Sequence, residues 1–171
     1  QVIVLAVGGA AIVPEIPGLE EAGYFTPDSL LNNNRKLTHL LVIGADPEGL
    51  ALAQAFARLG SDVTLVPQGA ALPGVDIEAA SIVLQCVAEE GVRVVDGGTV
   101  EAIHPRSQGI GATITLPDGA REALDISHVL ICTGTLASLD EIGLEAARLR
   151  PLRGRPRQFA VGTLGQTSNR R

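Results

Sequence analysis

The stretch from Leu40 to Val66 limits what this 171-residue chain can fold into more than any other part. Leu40-Leu41-Val42-Ile43 is a short, uninterrupted apolar run, as a strand buried on both faces requires. It leads into Gly44-Ala45-Asp46-Pro47-Glu48-Gly49. A helix is predicted from about Pro47 to Leu59, with Leu52, Phe56 and Leu59 on its apolar face and Gly60 as its stop. Asp62-Val63-Thr64-Leu65-Val66 then reads as the next strand. A strand, a tight glycine turn, a helix and a returning strand form a dinucleotide-binding unit.

The turn carries the chemistry. In such a unit the first glycine allows a sharp bend, the second lets backbone approach a pyrophosphate, and the third lets helix and strand pack closely. Free N–H groups and the positive helix end then hold the phosphates. Gly44 and Gly49 occupy the first and third places, and Asp46 the second. Asp46-Pro47-Glu48 also makes a good helix start without any ligand, because Asp caps well, Pro suits the first helical position and an acid suits the first turn. A fixed carboxylate about 5 Å from a phosphate costs roughly 3 kcal/mol at an effective dielectric near 20, so weak dinucleotide binding is expected. An acid at the end of the second strand would indicate NAD, and a nearby Arg NADP. Val66 is followed by Pro67-Gln68-Gly69, which does not choose between them.

The rest of the chain extends this pattern. Residues 2–7 read as a short buried strand, the Gly/Pro-punctuated stretch from Gly8 to Gly18 as loop, and Asn32-Asn33-Asn34 as a surface connection. A second helix is predicted from about Ile77 to Glu90, capped by Asp76 and stopped by Gly91, with Ile77, Ala80, Leu84 and Val87 inward. Val92–Val95 is a third strand. Val100–His104, Ala112–Leu116 and Glu122–Ile126 are three β-rich pieces with no helix between them, the last two joined by Pro117-Asp118-Gly119. Val129–Cys132 returns as an apolar strand ending at Thr133-Gly134. The expected class is α/β: a Rossmann-like parallel sheet with helices on both faces and an inserted antiparallel three-stranded β-meander.

Composition narrows the function classes. Apolar types make up 46%, enough for a core, yet no apolar run reaches 18 residues, so no membrane span is expected. Aromatics at 2% argue against stacking on single-stranded nucleic acid. Cys86 and Cys132 stand outside metal or redox spacing, fit a reducing cytoplasm, and are both expected to be buried. His39, His104 and His128 flank strands without ligand spacing and are expected to be structural or surface residues. Asp46 and Glu48, two apart at a helix start, point in different directions, so catalysis by the pair is not expected. All 19 acids precede residue 146, and the last 26 residues carry Arg without acid, which reads as a loop lying against an acidic neighbour rather than as a nucleic-acid site. Neither metal nor catalytic residues are expected. The chain opens at Gln1 inside an apolar run and has no Met, so it reads as a fragment without a signal peptide.

Together the segments resemble the pyridine nucleotide-disulfide oxidoreductases, FAD-dependent enzymes that include glutathione reductase, dihydrolipoamide dehydrogenase and mercuric reductase. Val4–Gly9 with Pro14-Glu15-Ile16-Pro17-Gly18 is similar to the family's segment that touches FAD. Leu41–Gly44 through Gly49–Ala53 is similar to its nucleotide turn, and Phe56–Gly60 and Val63–Val66 to the continuation of that turn. Val129–Gly134 and Gly143–Ala147 resemble the return strand and its sequel, while Ala53–Gly60 and Gln166–Asn169 lean towards mercuric reductase. The resemblance implies residues 1–34 as a flank of an FAD domain, 35–148 as an NAD(P)-binding domain and 149–171 as a return towards the FAD domain. It implies Gly44, Ala45, Asp46, Pro47, Glu48 and Gly49 at the pyrophosphate of NAD or NADP, Pro67 and Gln68 by the adenine ribose, and Thr133-Gly134 near the cofactor cleft. It also implies FAD in a homodimeric parent enzyme and an inactive isolated fragment. The departures are Asp46 for the second glycine, Pro47 at a bulky gate of the nicotinamide, Ala51 for a Glu that contacts its amide, Val7 for a Thr, and Thr133-Gly134-Thr135-Leu136-Ala137-Ser138 at the return. Two other readings stay open: a degenerate, non-catalytic structural or interaction domain, and a stand-alone binder of another adenine-containing ligand.

Overall fold

The computed structural model describes residues 3–139, 142–153 and 155–169. In chain order the elements are strand β1 (Gly9–Ala11), one-turn helices α1 (Leu19–Ala22) and α2 (Pro27–Leu30), β2 (His39–Ile43), α3 (Pro47–Arg58), β3 (Asp62–Val66), α4 (Ile77–Glu89), β4 (Val92–Val94), β5 (Thr99–Pro105), β6 (Ile110–Thr115), β7 (Arg121–Ile126), β8 (His128–Ile131), β9 (Thr135–Ala137), β10 (Pro151–Leu152) and β11 (Arg155–Phe159). Contacts divide them into two units: residues 11–134, and residues 3–10 with 135–169.

The larger unit is built on a four-stranded sheet in the order β4-β3-β2-β8. All its pairings are parallel, with Ile43 level with Val66 on one side and Ile131 on the other. Successive side chains point to opposite faces. Leu40, Val42, Val63, Leu65 and Leu130 therefore join one core with Leu50 and Ala53 of α3 and Ala80 and Val87 of α4. Leu41, Ile43, Val66, Val129 and Ile131 join the other, with Val100, Ile103, Ile114, Leu124 and Ile126 of the antiparallel meander β5-β6-β7. Burying each such Leu or Ile contributes about 1.5–3 kcal/mol, which is why the β2 run is wholly apolar after His39. Both long helices cover the first face. The second carries the meander, with Leu19 of the one-turn α1 as the helical contribution. The expected architecture is present, its two faces unevenly shared.

Local signals explain the element ends. The α3 stop is a Schellman arrangement, with Gly60 N–H donating to Ala57 O at 2.9 Å and Ser61 N–H to Phe56 O at 3.0 Å. Asp76 caps α4 by accepting from Glu78 and Ala79 N–H at 3.0 and 3.2 Å. In the meander, Leu116 N–H donates to Ala120 O at 2.8 Å across the Pro117-Asp118-Gly119 turn. No helix among the described residues is long and apolar enough to cross a membrane.

Several expectations are corrected. Residues 3–7 are exposed and belong to no strand, because an apolar run becomes a strand only beside a sheet edge that takes its hydrogen bonds; Val2 lies outside the described residues. The strand here is instead β1, inside the supposed loop, paired with β9. Leu59 is 75% and Ile77 86% exposed. Helical spacing assigned them a side, but Leu59 is the α3 C-cap and Ile77 the first residue of α4, where no sheet covers them. Cys86 is exposed, lying roughly 200° around α4 from Leu84; only Cys132 is buried. The basic tail is not simply loop: β10 and β11 pair antiparallel, with Pro151 level with Phe159.

Candidate functional site

At the carboxyl edge of the sheet, Gly44 leaves β2 at φ 99°, and its N–H donates to Val66 O at 2.9 Å. A Cβ at Gly44 would lie 2.1 Å from Cys132 O, so both the bend and the close approach require glycine. A Cβ at Gly49 would lie 2.5 Å from Cys132 Cβ. This glycine lets the start of α3 rest on the end of β8, as the third place of the turn demands. β2 lies between β3 and β8, where the strand order reverses, and ligands of open α/β sheets bind at such points.

Asp46 caps α3. Its Oδ1 accepts the Gly49 N–H at 2.7 Å, while Leu50 N–H donates to Asp46 O at 3.1 Å. Pro47, at the first helical position, has no N–H. The amides of Ala45, Asp46 and Glu48 remain without a hydrogen-bond partner among the described residues. The backbone thus fits an anion with three donors and a helix N-terminus, while the chain's own carboxylate holds a fourth donor. Cys132, behind the turn, registers this environment: burial first, then the charges of Asp46 and Glu48, push its thiol up to about 12. It is a packing residue rather than a nucleophile.

The connection from β3 to α4 is tied to the turn at both ends. Val66 O accepts from Gly44, and Leu72 N–H donates to Ala45 O at 2.8 Å. Leu72 has φ 49° and is 7% exposed, its side chain set in the core beneath α3 and α4. Left-handed backbone at a leucine costs about 1–3 kcal/mol and persists where the surroundings over-determine it. Between these ties Pro67 is buried and Gln68 exposed. On the other side of the turn, Thr133 Oγ1 donates to Ile12 O, and Ile12 N–H to Gly134 O at 2.9 Å.

The structure brings the predicted residues to one edge. Gly44 and Gly49 are buried in the turn, Ala45 is buried beside it, Asp46 is half-buried, and Pro47 and Glu48 are exposed. Pro67-Gln68 lies in the connection that Val66 O and Leu72 N–H tie to the turn, and Thr133 N lies beside Gly44, 2.8 Å from where a Cβ would sit. Sequence reasoning missed Leu72 and Cys132 as supports of the turn. A lone leucine in a Gly/Ala/Pro-rich connection was the available signal for the first.

Polar groups elsewhere are engaged. His39 Nδ1 lies 2.9 Å from Asp125 O and Nε2 2.9 Å from Thr64 Oγ1. The carbonyl only accepts, so Nδ1 is the donor to Asp125 O, and Nε2 faces the Thr64 hydroxyl. His104 Nε2 lies 2.9 Å from Thr113 Oγ1. His128 stacks on Phe25 at 5.5 Å between ring centroids, with Nδ1 3.0 Å from Ser127 Oγ. A separate open cleft of about 480 Å³ lies by Arg93, Asp96 and Pro117, but the two terminal Arg93 guanidinium nitrogens already hold Glu122 at 2.6 Å. No group of His, Cys, Asp or Glu suited to a metal occurs among the described residues.

Comparison with known proteins gives the family and the shared fold. The profile of the family described as pyridine nucleotide-disulphide oxidoreductase matches residues 1–158. A mercuric reductase of Lysinibacillus sphaericus is 31% identical over 96% of this chain and 30% of its own length. One from Streptomyces lividans is 35% identical over 82% of this chain and 30% of its own. The HOCl-induced flavoprotein disulfide reductase RclA of Escherichia coli superposes with a TM-score of 0.75 at 24% identity, over 96% of this chain and 37% of that one, which shows the shared fold. This chain belongs to the pyridine nucleotide-disulphide oxidoreductase family, whose members are FAD-dependent oxidoreductases using NAD(P)H. It spans about 30% of the length of those mercuric reductases.

Proposed function

We propose that the chain is the NAD(P)H-binding part of an FAD-dependent oxidoreductase. Residues 35–148 form the binding domain, and 1–34 and 149–171 lead to and from an FAD domain of a homodimeric parent. One observation carries this reading: three amides without a partner among the described residues, of Ala45, Asp46 and Glu48, stand at a helix N-terminus where the strand order reverses. The chemistry supplied there, once both cofactors are bound, is hydride transfer from nicotinamide to flavin and onward to a disulfide or other acceptor. This chain's residues bind and orient. The Gly44–Gly49 turn holds the pyrophosphate, Pro67 and Gln68 border the adenine ribose, and Thr133-Gly134 borders the cleft. The isolated chain is inactive.

A second reading has its own observation. The Asp46 bond to Gly49 N–H closes part of the cradle, as in a structural domain that has lost its cofactor. Titrating NADH and NADPH into the 171-residue chain and its Asp46→Gly variant separates the two. Gly caps a helix nearly as well as Asp, so the variant should lose only a few tenths of a kcal/mol of stability. Removing the carboxylate should tighten binding about a hundredfold, from roughly 3 kcal/mol of lost repulsion. No binding by either protein favours the structural domain.

A further inference from the structure

The charge at the carboxyl edge of the sheet bears on which nucleotide the turn accepts. The connection from β3 to α4 is where a dinucleotide's adenine ribose is recognised: an acid there favours a free 2′-hydroxyl, and a nearby cation a 2′-phosphate. In this structure that connection is tied to the turn at both ends, with Val66 O accepting from Gly44 N–H and Leu72 N–H donating to Ala45 O. No Lys, Arg or His occurs from Leu59 to Val92. The segments after β2, β4 and β8 bring none either: Gly44–Ala57, Val95–Val100 and Cys132–Ala147 are free of cations. Those edges carry Asp46, Glu48, Asp76 and Asp96. The cations of the larger unit are committed elsewhere. Arg58 pairs with Glu90, Arg93 with Glu122, Arg106 with Asp125 and Arg121 with Glu101, while Arg35 and Lys36 precede β2 at the opposite edge.

We propose that this edge selects NADH over NADPH: its fixed connection offers the exposed amide of Gln68 to an uncharged ribose and no countercharge to a 2′-phosphate. The proposal rests on the reading of the Gly44–Gly49 turn as a pyridine-dinucleotide site. A 2′-phosphate would meet carboxylates with no described cation of the larger unit beside it, and that repulsion weakens as salt screens it.

The test is equilibrium titration of the 171-residue chain with NADH and with NADPH, followed by nucleotide fluorescence and by calorimetry. Asp46→Gly is measured in parallel so that weak binding becomes readable. NADH should bind at least tenfold more tightly than NADPH to the unmodified chain, and still more tightly, by a smaller ratio, to Asp46→Gly, where Glu48, Asp76 and Asp96 remain. The ratio should narrow between about 50 and 300 mM salt. Ala70→Arg, at an exposed position in the tethered connection, should bring NADPH to parity or better. Equal or tighter binding of NADPH by the unmodified edge overturns the selectivity and leaves the dinucleotide site standing. Binding of neither nucleotide by either protein overturns both.

Discussion

At the amino edge of the parallel sheet side chains close the polar groups on one another; at the carboxyl edge the bonds run mostly through backbone and leave some amides open. Ser127 Oγ donates to His39 O at 2.8 Å and receives His39 N–H at 3.1 Å, and the His39 ring spans from Asp125 O to the buried Thr64 hydroxyl. These bonds tie the starts of β2, β3 and β8 and the end of β7 into one knot. Across the sheet, Gly44, Gly49 and Cys132 achieve comparable closeness through bare backbone, and three amides are left over. The first N–H groups of a helix have no partner within it, and on the proposed reading these are the donors that a dinucleotide's phosphates would take.

The comparison can be broken first at Gly44. Gly44→Ala adds a methyl group 2.1 Å from Cys132 O at a φ of 99°. Overpacking and backbone strain each cost about 1–3 kcal/mol, so urea denaturation should show a loss of about 3 kcal/mol or complete failure to fold. A loss under about 1 kcal/mol would mean that the turn is not tightly packed. At the opposite edge, His39→Leu strands the Thr64 hydroxyl, buried at 2% exposure. It should cost about 1–3 kcal/mol while leaving nucleotide affinity unchanged, and a shift in that affinity would break the separation of the two edges. The smallest effect should come from His128. Burial, then the Arg35 charge, holds its imidazole below the ordinary value of 6.5. As pH falls below that value the unfolded chain takes up the proton first, so the folded state loses stability on acidification. His128→Gln should flatten that decline in urea midpoints measured at pH 7.5, 6.5 and 5.5, and an unchanged slope would show that His128 does not contribute.

Much of this was legible in the sequence wherever local rules decide. The apolar runs at Leu40–Ile43 and Asp62–Val66 became β2 and β3, and Asp46-Pro47 started α3 as capping chemistry requires. The tight meander turn came from Pro117-Asp118-Gly119. Legibility failed where a residue's fate depends on whether a neighbour covers it. Ile77 and Leu59 continue apolar stripes beyond the covered part of their helices, and residues 3–7 are apolar yet unpaired. Cys86 and Cys132 look alike in the sequence, but one faces outward on α4 and the other backs the glycine turn.

The order of residues determined by itself that Gly44 could bend, that Asp46 would cap and that the connection from β3 to α4 would carry no cation, because these depend on side-chain identity and near neighbours. Only the tertiary structure decided that the turn, Leu72 and Cys132 would meet. They lie far apart in the chain and come together because the parallel register brings β2, β3 and β8 to the same edge, where a hydrogen bond to Ala45 O holds Leu72 in place and a missing Cβ lets Gly49 touch Cys132.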